Sequence, residues 1–114
     1  MNRDLLISGG IDYDHGVERF MNNASVYEKL LRNFPNDNLY EKAFEDYEKG
    51  DMDAVFRSLH TMKSTAGTLD MTSLYNATHD MVEAIRSAQL KGTDALMDKI
   101  KACYKAAVDA INNA

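Results

Sequence analysis

His60 and Lys63 stand three residues apart in the run Leu59-His60-Thr61-Met62-Lys63-Ser64-Thr65-Ala66-Gly67-Thr68-Leu69. On a helix, residues three and four apart are surface neighbours, so this spacing puts an imidazole and an ammonium on one side. Histidine offers a nucleophilic nitrogen that is largely neutral near pH 7, with an unperturbed pKa of about 6.5. A cation one turn away steadies negative charge arriving at that nitrogen. The pair suits a histidine visited by something large and anionic.

The helix that carries the pair has a core seam beside it. Met52, Val55, Leu59, Met62, Ala66 and Leu69 recur in steps of three and four and form one apolar stripe. His60 lies in the neighbouring column, with Phe56, Lys63, Ser64 and Gly67. The reactive nitrogen therefore sits next to the core, among small residues.

Helical patterning extends along the chain, and no segment reads as a strand. A short helix is expected from about Tyr13 to Met21, and a second after a cap at Asn23 or Ser25, with Val26, Leu30 and Phe34 inward. Pro35 breaks it, having no N–H and disfavouring helix at Phe34. Asn36 or Asp37 caps a third, on which Tyr40, Ala43, Phe44 and Tyr47 face one way. Gly50 stops that helix and Asp51 starts the His60 helix, which runs to about Leu69. Thr72 or Ser73 caps the next, with the seam Met71, Leu74, Thr78, Met81, Ile85 and Ala88. Lys91-Gly92-Thr93-Asp94 gives another glycine stop and polar cap, and the last helix buries Leu96, Ile100, Cys103, Ala107 and Ile111. The expected fold is all-α: an antiparallel four-helix bundle over residues 11–114 with a short N-terminal lid helix. Residues 1–10 lack periodicity and are expected to form a flexible tail.

Composition excludes several classes. A chain of 114 residues suits one domain with one core. No apolar run approaches the roughly 20 residues needed to span a bilayer, and no signal peptide is visible. Cys103 is the only cysteine, so no internal disulfide can form, which fits a reducing cytoplasm. A net charge of −5 argues against nucleic acid or anionic lipid as the main partner. No P-loop or kinase-type glycine motif is present. Cys103 reads as a small buried apolar residue and His15 as a solvated one. The start at Met1 and the polar end Asn112-Asn113-Ala114 fit a complete short chain, and a monomer is expected.

The stretch His60-Thr61-Met62-Lys63-Ser64-Thr65-Ala66-Gly67 resembles the motif of histidine-containing phosphotransfer (HPt) domains. The family pattern is His, any residue, an apolar residue, Lys, then small residues; His60, Met62, Lys63, Ala66 and Gly67 fit it. Gly10-Ile11-Asp12-Tyr13, Gly16, Arg19-Phe20 and Tyr27 to Leu31 resemble the family's N-terminal approach, so the similarity covers roughly Ile11 to Ile111. Two positions depart from the pattern. Ser64 stands where glycine is usual beside the histidine, and Asp70 where glycine usually follows the helix.

The resemblance implies a phosphorelay carrier. His60 would take a phosphoryl group at Nε2 from a receiver-domain aspartate and pass it to another receiver, with Lys63 stabilising the charge. The implied partners are response-regulator receivers and a hybrid sensor histidine kinase. No cofactor is implied on this chain, because Mg2+ belongs to the receiver. By position on the helix, Phe56, Ser64, Gly67 and Thr68 would form the docking surface, with Arg57 at its rim. Two other readings stay open. One is a docking module for receivers that is never phosphorylated. The other is a metal-binding bundle built on His79 with Glu83 one turn on, although one such pair is short of the three or four ligands a metal site needs.

Overall fold

The computed structural model describes residues 1–114, and all of its regular structure is helical. Helix α1 spans Arg3–Ser8, α2 Tyr13–Arg19, α3 Ala24–Asn33, α4 Leu39–Glu48, α5 Met52–Thr68, α6 Thr72–Arg86 and α7 Thr93–Asn113. A 3-10 turn, Phe34–Asn36, follows α3.

Helices α5 to α7 are the longest elements, and from α4 onward each helix packs on the next. The ring closes where α4 meets α7. Tyr40, in the first turn of α4, stacks on Tyr104 with ring centroids 3.9 Å apart. Tyr47, in the last turn of α4, hydrogen-bonds Thr93 and Asp94 at the start of α7. These end-to-start contacts make α4 and α7 antiparallel, as an up-down-up-down bundle requires. The seam of α5 faces the core: Val55, Leu59, Met62, Ala66 and Leu69 are buried, and Met52 packs at its edge.

Local chemistry explains where α5 starts and stops. Gly50 takes a left-handed φ of 75°, and the Asp51 carboxylate accepts the Ala54 N–H at 3.1 Å. At the other end Asp70 has φ 53°, the Met71 N–H donates to the Ala66 carbonyl at 2.9 Å, and the Asp70 N–H donates to the Gly67 carbonyl at 3.2 Å. This is a Schellman closure, with an aspartate in the place that glycine usually takes.

Several expectations need correction. The first ten residues contain α1, capped by Asn2 and anchored by Leu6, which is fully buried. The Asn2 N–H donates to the carbonyl of Ala114 at 2.9 Å, and a Cβ on Gly9 would sit 2.4 Å from the Ala110 Cβ, so α1 lies tightly against the end of α7. On α3 the cap is Asn23, but the inward residues are Tyr27, Leu31 and Phe34, while Val26 and Leu30 are exposed. Tyr27 wins the inner face because its hydroxyl finds a partner there, donating to the Leu69 carbonyl at 2.6 Å. Asp37 does serve α4, accepting the Leu39 N–H at 2.8 Å. Neither Thr72 nor Ser73 caps α6; its N-cap is Met71, and the Ser73 N–H donates to the Gly10 carbonyl at 3.2 Å. The α6 seam ends before Ala88, which lies beyond the helix at φ 56°. Gly92, at φ 81°, is the N-cap of α7, and Thr93 and Asp94 turn to Tyr47 instead. The lid is α2 with α3, laid across the bundle end where α5 turns into α6: the Asp12 N–H donates to the Asp70 carbonyl at 2.8 Å.

Candidate functional site

His60 lies in the middle of α5 and is exposed. Its ring stacks on Phe56, one turn earlier, with centroids 5.7 Å apart and planes 26° apart. Its backbone carbonyl accepts from the Ser64 hydroxyl at 3.2 Å, and neither ring nitrogen is engaged by another residue of the chain. The side chain is thus held at its face and free at its edge.

The column around His60 splits along a ridge. Phe56, Lys63 and Gly67 lean toward α6. The Arg86 guanidinium lies over the Phe56 ring at 5.7 Å. Lys63 Nζ lies 3.5 Å from His79 Nδ1 and 6.0 Å from the centre of the Tyr75 ring. A Cβ on Gly67 would come within 3.2 Å of the Tyr75 ring, so Gly67 serves the packing of α6 against α5. Ser64 and Thr68 lean the other way, lining a groove of about 520 Å³ with Leu30 and Phe34. Arg57 is exposed, and its carbonyl accepts from Thr61 at 3.2 Å. The residues expected to form one docking surface therefore lie on two slopes, with His60 at the crest.

The hydroxyls of this face are occupied locally. Thr61, Ser64, Thr65 and Thr68 each donate to the carbonyl one turn back. Ser64 thus presents a small side chain whose proton is already committed. Glu83 pairs with Arg86 at 3.6 Å, whereas no carboxylate pairs with Lys63.

Three residues of α6 escaped the sequence reading as parts of this site: Tyr75, His79 and Arg86. Their spacing places all three on one helical face, which was a usable signal. His79 stacks on Tyr75 with planes 14° apart and turns to Lys63. No group of three or more His, Cys, Asp or Glu side chains gathers around it or elsewhere. His15, expected to be solvated, is exposed but engaged, with Nδ1 2.8 Å from Asp70 Oδ1.

A family model described as Hpt domain matches residues 20–113. The chain belongs to the Hpt domain family. No solved structure gave a significant match. Membership makes this Hpt domain a phosphorelay module of two-component signalling, a phosphocarrier type rather than a conventional enzyme, whose relatives interact with receiver domains of response regulators or hybrid kinases. The match begins at Phe20, so α1 and α2, with the Gly10 to Arg19 approach, lie outside it. No helix of the Hpt domain is long and apolar enough to cross a membrane.

Proposed function

We propose that His60 is the phosphorylated residue of a relay between two receiver domains. The Nε2 lone pair attacks phosphorus as the bond to the donor aspartate's carboxylate oxygen breaks, and that carboxylate leaves as an anion. The phosphoryl group then moves from Nε2 to the aspartate of a second receiver, and the imidazole is regenerated. Mg2+ and the acidic pocket that activates the aspartate belong to the receivers, one of them carried by a hybrid sensor kinase in the cytoplasm. This chain needs only an open nucleophile and charge stabilisation.

The observation that carries this reading is the exposed His60 imidazole with both nitrogens free, in a chain that matches the Hpt family over residues 20–113. Lys63, which no carboxylate neutralises, supports it as the group that steadies the transferred phosphate. The docking surface in this reading is the ridge itself: Phe56 and Gly67 on one slope, Ser64 and Thr68 on the other, and Arg57 at the margin.

The test is transfer of label from a phosphorylated receiver to the wild type and to His60→Gln. Acid-labile, base-stable label on the wild type alone is the expected outcome. Lys63→Ala should slow transfer about ten-fold, the scale of one lost charge-assisted contact, without abolishing it. A folded wild type that binds receivers yet takes no label from any of them would turn the assignment to a docking module.

A further inference from the structure

Lysine has donors and no acceptor, so its ammonium ordinarily settles on a carboxylate when one is in reach. The seat of Lys63 is built differently. Its Nζ lies 3.5 Å from His79 Nδ1 and 6.0 Å from the centre of the Tyr75 ring, with no carboxylate beside it. Because Lys63 can only donate, a hydrogen bond between the two takes Nδ1 as acceptor, which is the His79 tautomer with its proton on Nε2. His79 is itself held in place: it is half-buried, and its ring lies nearly parallel to that of Tyr75 one turn earlier, with centroids 6.2 Å apart. Tyr75 can approach α5 because Gly67 has no side chain to meet it.

The consequence is electrostatic. A carboxylate seat would hold the lysine but cancel its charge and compete with an arriving phosphate. A neutral acceptor and an aromatic face hold the ammonium and leave its charge available. We propose that His79 is a positioning residue for phosphotransfer, seating Lys63 through Nδ1 so that an un-neutralised cation waits one turn from His60. This rests on the carrier role of His60 and adds a residue on a second helix to it. The charge is located before the phosphate arrives, so less ordering remains to be done during transfer.

The experiment compares transfer rates from a phosphorylated receiver for the wild type, His79→Phe, His79→Asn, Lys63→Ala and the Lys63→Ala/His79→Phe double variant, with folding checked by thermal unfolding. Phenylalanine keeps the ring stack on Tyr75 and deletes the acceptor; asparagine restores an acceptor close to the position of Nδ1. His79→Phe should be slower by about five-fold and His79→Asn within about two-fold of wild type, on the scale of one positioning contact. In the Lys63→Ala background, His79→Phe should have no further effect. A wild-type rate in His79→Phe, or an equal slowing whether or not Lys63 is present, would overturn the proposal. Nitrogen NMR of the wild type gives an independent reading that needs no variant to fold: the Nε2-protonated tautomer of His79 is expected, and the Nδ1-protonated form would refute the seat. Failure of the carrier reading looks different, since wild type would then take no label while the tautomer still reports on His79.

Discussion

Around His60, α5 carries an imidazole free at both nitrogens and a lysine that no carboxylate pairs. Ten residues on, roughly 15 Å along the axis, the same helix ends at Asp70, where the polar groups are taken up. The Asp70 carboxylate receives Arg19 Nε at 2.9 Å and His15 Nδ1 at 2.8 Å, and its carbonyl receives the Asp12 N–H. The Leu69 carbonyl receives the Tyr27 hydroxyl. The middle of the helix leaves the His60 imidazole unsatisfied. Its C-terminal end is over-determined by these contacts. Stability and chemistry are separated along one helix.

Substitutions in the two regions should therefore read out on different instruments. His60→Gln is the largest functional change: transfer should fall below detection, while unfolding free energy stays within about 0.5 kcal/mol, as for other exposed positions. Tyr27→Phe is its mirror. It leaves the buried Leu69 carbonyl without its donor and should cost about 1–3 kcal/mol in urea unfolding, while the folded protein transfers at the wild-type rate. A destabilised His60→Gln, or a slow but folded Tyr27→Phe, would break the separation. Phe56→Ala lies between the two. Phe56 is half-buried, stacks on His60 and lies under Arg86. Its loss should cost about 1–2 kcal/mol, less than the ~3–5 of a fully buried ring, and should slow transfer a few-fold by loosening the His60 ring. An effect on one readout alone would assign Phe56 to one region.

The two regions were not equally legible in the sequence. Burial against neighbours imposes a period on α5, so its seam and the exposed His60–Lys63 pair could be read directly. On α3 the same rule misled, because Val26 and Leu30 repeat with the same step as Tyr27 and Leu31; the choice was made by a hydroxyl partner 42 positions away. Helix α1 has six residues and no usable period, and is held by the far end of the chain through Ala114. The Asp70 cluster joins residues 51 and 55 positions apart, so only its departure from glycine was visible. His79 was noticed for a metal it does not gather ligands for. Its neighbour Lys63 depends on how α6 is rotated against α5, which packing decides.

The smallest predicted effect concerns pH at the closed end. Partial burial pulls the Asp70 carboxyl up, but hydrogen bonds from Arg19 and His15 outweigh it and hold the group below the usual aspartate value. The hydrogen bond and charge of Asp70 raise His15 above the usual histidine value. A depressed acid contributes stability that is present above its unfolded pKa of about 3.9 and lost as pH falls through the folded value. A raised histidine contributes stability that is present below about 6.5 and lost as pH rises through the folded value. Both contributions are at full strength only between those limits. Asp70→Asn isolates the charge, because asparagine tolerates the left-handed backbone as well as aspartate does. The wild type should exceed Asp70→Asn in urea midpoint by the widest margin near about pH 5. That margin should narrow above neutrality, where only Arg19 still pairs, and should vanish in strong acid. The margin should be smaller than that of Tyr27→Phe, because His15 and Arg19 are exposed to screening. A margin flat across pH would mean that Asp70 acts through its backbone alone. A change in transfer rate at the pH of widest margin would mean that the clamp reaches His60 after all.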